Sequence, residues 1–264
     1  MISVTGMTKA FNKGDVNEVT ALSGVDLEVN DGDFITIIGS NGAGKSTFLN
    51  ALAGMFFIDA GKIILDGTDI TRWPEHKRAG LIGRVFQDPL LGTCAGATIE
   101  QNLAVAKKRG LLRGLSRGVK TRDREFFREK LSVLGLGLED RLKTHTGLLS
   151  GGQRQALTML MATLVRPKLL LLDEHTAALD PKTGAMVLDL TDEIVGSENL
   201  TTLMVTHNMN QAIAMGNRLI MFHRGCVVLD ISGDEKKNLK VEDLLQRFAD
   251  LRGGEGVSDR MLLA

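Results

Sequence analysis

Short apolar runs broken by glycine and charged turns fill the first third of the chain. ISVT, LSGVDLEV and DFITIIGS read as strands, the last running straight into a glycine-rich loop. Lys45 to Leu52 takes up a helical pattern, and GKIILDGTDI and AGLIGRVFQ return to strand. From about Thr98 to Val165 the periodicity is helical, in TIEQNLAVAKK, in DREFFREKLSVLG and in a helix opening at SGGQ with the apolar body ALTMLMATLV. LLLLDEH, residues 169–175, predicts a short buried strand, because four leucines end in two carboxylates and too few residues remain for a helix. A helix over 182–195, strand TTLMVTH, a short helix, and strands RLIMFH and CVVLDI follow. VEDLLQRFADL is amphipathic and predicts a C-terminal helix, with LRGGEGVSDRMLLA as a loose tail. This alternation predicts an α/β fold with a parallel-sheet core, into which the 98–165 stretch is a helical insertion.

Composition narrows the class without naming a chemistry. The 264 residues are 43% hydrophobic and 24% charged, which is ordinary for a soluble globular chain long enough to bury a sizeable core. Lys plus Arg and Asp plus Glu both number 32, so no global field recommends nucleic acid as a partner. Cys94 and Cys226 lack metal-type or redox-type spacing and read as reduced thiols. The start, MISVTGMTKAFNKGD, has no apolar signal core, and no apolar run approaches the roughly 18 residues a membrane span needs. The expectation is a soluble, cytosolic chain. One segment departs from neutrality: residues 107–130 hold ten Lys/Arg against three acids. It reads either as a solvated helix face or as a basic flank near an anionic leaflet. The eleven methionines read mostly as core filling, with a few that could line a groove beside the Gln87 loop.

The candidate chemistry gathers at strand ends and helix starts. Gly39, Ser40, Asn41, Gly42, Ala43, Gly44, Lys45 and Ser46, followed by Thr47, match the phosphate-binding loop G-x-x-x-x-G-K-[ST]. Its glycines let backbone amides approach phosphate oxygens, Lys45 supplies a point charge, and the Ser46 hydroxyl can ligate Mg²⁺. Asp173 and Glu174 close the leucine strand, where parallel-sheet proteins place their chemistry. On an extended chain they point to opposite sides, so Asp173 can hold Mg²⁺ through water while Glu174 polarises an attacking water. Gln87 in VFQDP and His207 after TTLMVT also follow strands; the amide of Gln87 suits a water or metal contact that must be made and broken. A second cradle, LLSGGQRQ, opens an apolar helix: Ser150 can cap it, and Gly151 and Gly152 leave its positive end open to an anion.

Taken in order, GSNGAGKST, VFQDP, LSGGQRQ, LLLLDEH, AALD and VTHN resemble the ATP-binding subunit of an ABC transporter, across residues 39–208. The resemblance implies a P-loop NTPase with a RecA-like core, an N-terminal antiparallel β-lobe and an inserted helical subdomain. It divides the chain into core and β-lobe at about 1–90 and 166–232, helical subdomain at about 91–165, and C-terminal helix and tail at about 233–264. It also implies two subunits packed head to tail, each ATP lying between one chain's phosphate loop and the other's LSGGQ, so that Ser150, Gly151, Gly152, Gln153 and Asp180 face the partner's nucleotide. Phe11 in TKAFN is implied as the adenine stack, against a plain reading as a core residue of the β-lobe. The implied catalytic set is Glu174, His207, Gln87 and Lys45, with Ser46, Gln87 and Asp173 around Mg²⁺.

Two departures stand out where the family commonly reads DEPTSALD. His175 replaces a proline, which loosens the turn or adds a polar contact, and Ala177 lacks the usual hydroxyl. Neither removes a catalytic group, so activity is expected to survive. The resemblance further implies a homodimer, separate multi-span permease subunits, an extracytoplasmic substrate-binding protein, and a place on the inner face of the cell membrane. DEHTAALDPKT, LTTLMVTHNM and GNRLIMF are similar to importer ATPases for small solutes, often aromatic amino acids. The alternative is a soluble ABC ATPase of an assembly, cell-division or lipoprotein-release machine, told apart by its partners.

Overall fold

Alternating burial builds the first strands: β1 (Ile2–Phe11) turns Ile2, Val4 and Met7 inward. It pairs antiparallel with β2 (Val19–Val29) on one side. β3 (Phe34–Ile38) is buried along its whole length, as a strand covered on both faces must be. α1 (Lys45–Ala53) follows it, ended by Gly54 in a left-handed conformation. β4 (Ala60–Leu65) lies antiparallel against β1, β5 (Thr68–Asp69) against β4, and α2 (Glu75–Arg78) closes this stretch. The expected strand GKIILDGTDI is therefore a short hairpin, with Asp66 and Gly67 at positive φ.

The structure, a computed structural model, describes residues 1–111 and 118–251. The expected loose tail from Arg252 on, and part of the basic 107–130 segment, lie outside the described residues. The chain divides into two units: Met1–Arg78 with the residues from Leu200 onward, and Ala79–Asn199.

The second unit opens with β6 (Ile82–Val85) and continues through α3 (Ile99–Lys107), α4 (Thr121–Ser132) and α5 (Gly151–Thr163). β7 (Leu169–Asp173) then runs parallel to β6, and α6 (Pro181–Glu198) ends the unit. β7 stops two residues before the sequence pattern suggests, because Glu174 takes a left-handed φ of 46°. At Glu174 the chain is thus no longer extended, as the expectation for the Asp173–Glu174 pair had assumed. α6 runs beyond the expected 182–195 because Asp180 and Pro181 start it one turn-position early and Asn199, left-handed, stops it late.

Back in the first unit come β8 (Thr202–Val205), α7 (Met209–Ala214), β9 (Arg218–His223), β10 (Cys226–Ser232), α8 (Gly233–Lys237) and α9 (Val241–Leu251). β3 lies between β8 and β9, parallel to both, and β10 is antiparallel to β9. α9 buries Leu244 and Phe248 in a cluster with Ile38, Met209, Leu219 and Met221. The last residue of β3 and the first of α7 thus share one apolar core. Methionine fills much of the interior: Met7, Met159, Met204, Met209, Met215 and Met221 are buried.

Candidate nucleotide site

In the first unit the chain leaves β3 at Ile38 and wraps through the glycine loop into α1. Gly39 sits at φ 146°, and a Cβ there would lie 2.3 Å from the Phe222 carbonyl oxygen, so glycine alone fits. Gly44 caps α1 in a left-handed conformation, with no side-chain cap and no acidic residue in the first turn. Gly44 itself offers no side chain to cap α1, and a helix start of this kind suits an anion. Lys45 is buried, its Nζ donating to the carbonyls of Gly39 (2.7 Å) and Ser40 (3.1 Å). Asn41, Gly42 and Ser46 are exposed, Ser40 and Thr47 half-buried, and Ala43 buried, its carbonyl accepting from Gly225 N–H at 2.9 Å.

His207 emerges at the same sheet edge. Thr206 N–H donates to the Ile37 carbonyl at 3.1 Å, which extends the parallel pairing of β3 and β8 to the residue before it. His207 is exposed, followed by Asn208, whose Oδ1 caps α7 by accepting from Gln211 N–H at 3.1 Å. Phe11 ends β1 at 38% exposure, edge-on to Phe56 with ring centroids 5.3 Å apart, and the Lys9 ammonium lies 5.4 Å from its centroid. That exposure corrects the plain reading of Phe11 as a core residue.

The second unit assembles the remaining candidates around parallel strands β6 and β7. Val85 pairs with Leu172, so Gln87 and the Asp173–Glu174 pair leave the strands at one edge. Gln87 is exposed, and Gln155 of α5 donates to the adjacent Phe86 carbonyl at 3.2 Å. Asp173 accepts from the Arg84 guanidinium at 3.4 Å, and Arg84 also stacks over Phe86, 4.5 Å from its centroid. No sequence motif singles out Arg84; the available signal was a lone basic residue inside an apolar strand.

Ser150 closes a capping box at the start of α5: its hydroxyl accepts from Gln153 N–H at 3.3 Å, and Gln153 Oε1 accepts from Ser150 N–H at 3.2 Å. Asp180 starts α6, its carboxylate accepting from Thr183 N–H at 3.1 Å. The Thr183 hydroxyl and then the Thr183 backbone hold that carboxyl below its usual range. The two helix starts touch, since a Cβ on Gly152 would fall 2.1 Å from Thr183 Cγ2 and one on Gly151 3.2 Å from Leu179 Cδ2. Ser150, Gly151, Gln153 and Asp180 are not buried, whereas Gly152 is.

His175 lies 2% exposed with Nε2 3.0 Å from Thr191 Oγ1. Thr191 spends its own proton on the Val187 carbonyl (2.7 Å), so His175 Nε2–H is the donor. Burial pulls its pKa down to about 4. Of the two effects the sequence allowed for this departure, the polar contact is present.

Part of the basic segment is spoken for as well. Lys107 pairs with Asp123 at 2.7 Å beneath Phe126, Arg124 pairs with Glu100 at 2.7 Å, and Arg109 turns inward to backbone carbonyls. Among the described residues no helix is long and apolar enough to cross a membrane.

Residues 22–177 match the family described as ABC transporter. The chain is 46% identical over 250 residues to a tyrosine transport ATP-binding protein of Clostridioides difficile, covering 94% of this chain and 98% of that protein. It is 34% identical over 230 residues to an aliphatic sulfonates import ATP-binding protein of Agrobacterium fabrum, covering 87% of this chain and 79% of that one. Among solved structures it is similar to an ATP-binding cassette in a dimeric, post-hydrolysis state bound to ADP and Pi, with 28% identity, a TM-score of 0.74, and 88% and 98% of the two chains covered. The fold is that of a P-loop NTPase. The chain belongs to the ABC transporter family, as an ATP-binding cassette that hydrolyses ATP.

Proposed function

We propose that this ATPase works as a head-to-tail pair of identical chains, each ATP gripped by the phosphate loop of one copy and the Ser150 cradle of the other. The observation that carries this reading is the second cradle itself. A glycine-opened helix start with unburied Ser150, Gly151 and Gln153 lies in the unit that lacks the phosphate loop. One nucleotide needs one phosphate loop; a second anion-facing helix start calls for a second copy's nucleotide.

In this arrangement Lys45 leaves the Gly39 and Ser40 carbonyls for the β- and γ-phosphates, and the α1 amides cradle them. Glu174 polarises the attacking water, with Gln87 and His207 completing the catalytic set, and Phe11 carries the adenine ring. Ser46, Gln87 and Asp173, the last through water, would hold Mg²⁺, which favours few protein ligands beside phosphate and water. The bound metal would neutralise charge on the phosphates. Loss of the γ-phosphate removes the bridge between copies and lets the pair open.

The transport reading follows from the relatives, whose names concern tyrosine transport and sulfonate import. The chain drives import of a small solute, an aromatic amino acid foremost, through separate multi-span permease subunits fed by an extracytoplasmic binding protein. It sits peripherally on the cytoplasmic face of the membrane. Mass spectrometry of whatever co-purifies from gently solubilised native membranes tests this. A multi-span permease is the expected partner; soluble partners alone would overturn the transport reading in favour of an assembly, cell-division or lipoprotein-release machine.

A further inference from the structure

The phosphate-loop helix α1 and the SGGQ helix α5 share a feature found in neither motif. Neither carries a basic residue in its own last turn, yet each ends against an inward-turned arginine from another segment. Arg78 is 1% exposed and donates from one terminal nitrogen to the carbonyls of Ala51 (2.7 Å) and Leu52 (2.9 Å), in the last turn of α1. Its Nε reaches the Trp73 carbonyl (2.9 Å) and its other terminal nitrogen that of Thr71 (3.0 Å). In the second unit Arg109 donates to the Ala162 carbonyl at the end of α5 (2.7 Å) and to the Val165 carbonyl just beyond it.

Neither guanidinium has a carboxylate partner among the described residues, and burial lowers the pKa of both, that of Arg78 to about 10. Each also rests against a glycine. A Cβ on Gly54 would lie 2.9 Å from Arg78 Nε; one on Gly83 would lie 3.3 Å from an Arg109 terminal nitrogen and 2.7 Å from the Ala162 oxygen.

A desolvated cation without a counter-ion is costly, so something must offset it. The compensation here is the carboxyl end of a helix, whose last carbonyls have no intrahelical partner and carry the negative end of the dipole. A guanidinium forked over those carbonyls fixes where the helix ends, and with it where its other end points. We propose that Arg78 and Arg109 are positioning residues for the two nucleotide-gripping helix starts. Arg78 sets the phosphate loop from behind α1, and Arg109 sets the Ser150 cradle from behind α5. The Arg109 half rests on the head-to-tail reading above. Neither side chain need touch nucleotide: α1 is about 13 Å long and α5 about 20 Å.

The test separates the two arms. ADP binding to the single chain is measured by calorimetry, and ATP-driven association by sedimentation in a Glu174→Gln background, with thermal melting alongside. Arg78→Met should weaken ADP binding roughly 10-fold. Arg109→Met should leave single-chain ADP binding within about 2-fold and weaken association roughly 10-fold. Arg78→Lys and Arg109→Lys, which keep the charge but lose the fork, should fall between. Should a methionine variant fail to fold, the lysine variants carry the same comparison. Variants that melt earlier yet bind and associate like the parent would overturn the proposal and leave both arginines merely structural. If the Glu174→Gln parent itself does not associate with ATP, the head-to-tail reading and the Arg109 half fall together, while the ADP measurement still decides Arg78.

Discussion

α1 and α5 both begin at glycine, yet the two helix starts are finished in opposite ways. α1 has a left-handed Gly44 as its cap, which offers no side chain of its own, and Lys45 is folded back onto the loop's own carbonyls. α5 is closed by the reciprocal Ser150–Gln153 box, which needs no ligand. The first start is shaped to be filled and the second to stand alone until something displaces one hydroxyl contact. A difference of that kind is what the proposed pairing requires: a standing cradle for the chain's own nucleotide, and a conditional one for its partner's.

Breaking the first cradle should have the largest effect. Lys45→Ala removes the loop's buried cation, and phosphate-release assays should show hydrolysis falling roughly 10³-fold, about 4 kcal/mol of transition-state stabilisation. ATP affinity of the single chain should fall with it, which calorimetry would register.

Acid should distinguish the two units next. His175 is buried in the second unit with its pKa lowered to about 4, whereas unfolded histidine titrates near 6.5. The unfolded chain therefore binds a proton between those values that the folded chain refuses. Stability is undiminished above pH 6.5, declines as pH falls toward 4, and is lower by about 3 kcal/mol below it. Denaturant melts across that range should show the loss, and His175→Gln should flatten it. An unchanged slope in the variant would remove His175 as the cause.

Damage to the second cradle should be smaller and selective. Gly152→Ala forces a methyl against Thr183, for a cost of about 2 kcal/mol. Hydrolysis should fall while single-chain ATP affinity stays put; an equal loss of affinity would erase the distinction between the cradles. Ser150→Ala is the mildest case, costing about 1 kcal/mol through the lost cap, readable as a lower melting temperature without nucleotide. No side-chain deletion at Gly44 can mimic it, because α1 has no such cap.

What could be read from the residues depended on how local the signal was. The phosphate loop, the buried β3 and β7, and the Ser150 cap each lie within one short window, where glycine spacing, apolar runs and a hydroxyl three residues before a glutamine carry the message. β7 ends early because Glu174 adopts a left-handed conformation that no periodicity announces. The same turn carries His175, polar in sequence, into contact with Thr191 of α6. α2 and α8 are too short to show a period. Arg78 and Arg109 were invisible for a different reason: their helix partners lie 27 and 53 residues away along the chain, and backbone carbonyls leave no trace in residue type. The candidate residues were thus legible as positions, while the groups that hold their helices in place were not.

The most direct test of the paired-cradle account is sedimentation of the Glu174→Gln chain with saturating ATP and, separately, with ADP. The account predicts a dimer with ATP and a monomer with ADP, because the γ-phosphate is the bridge that hydrolysis removes. A monomer at high protein concentration in both nucleotides would contradict it.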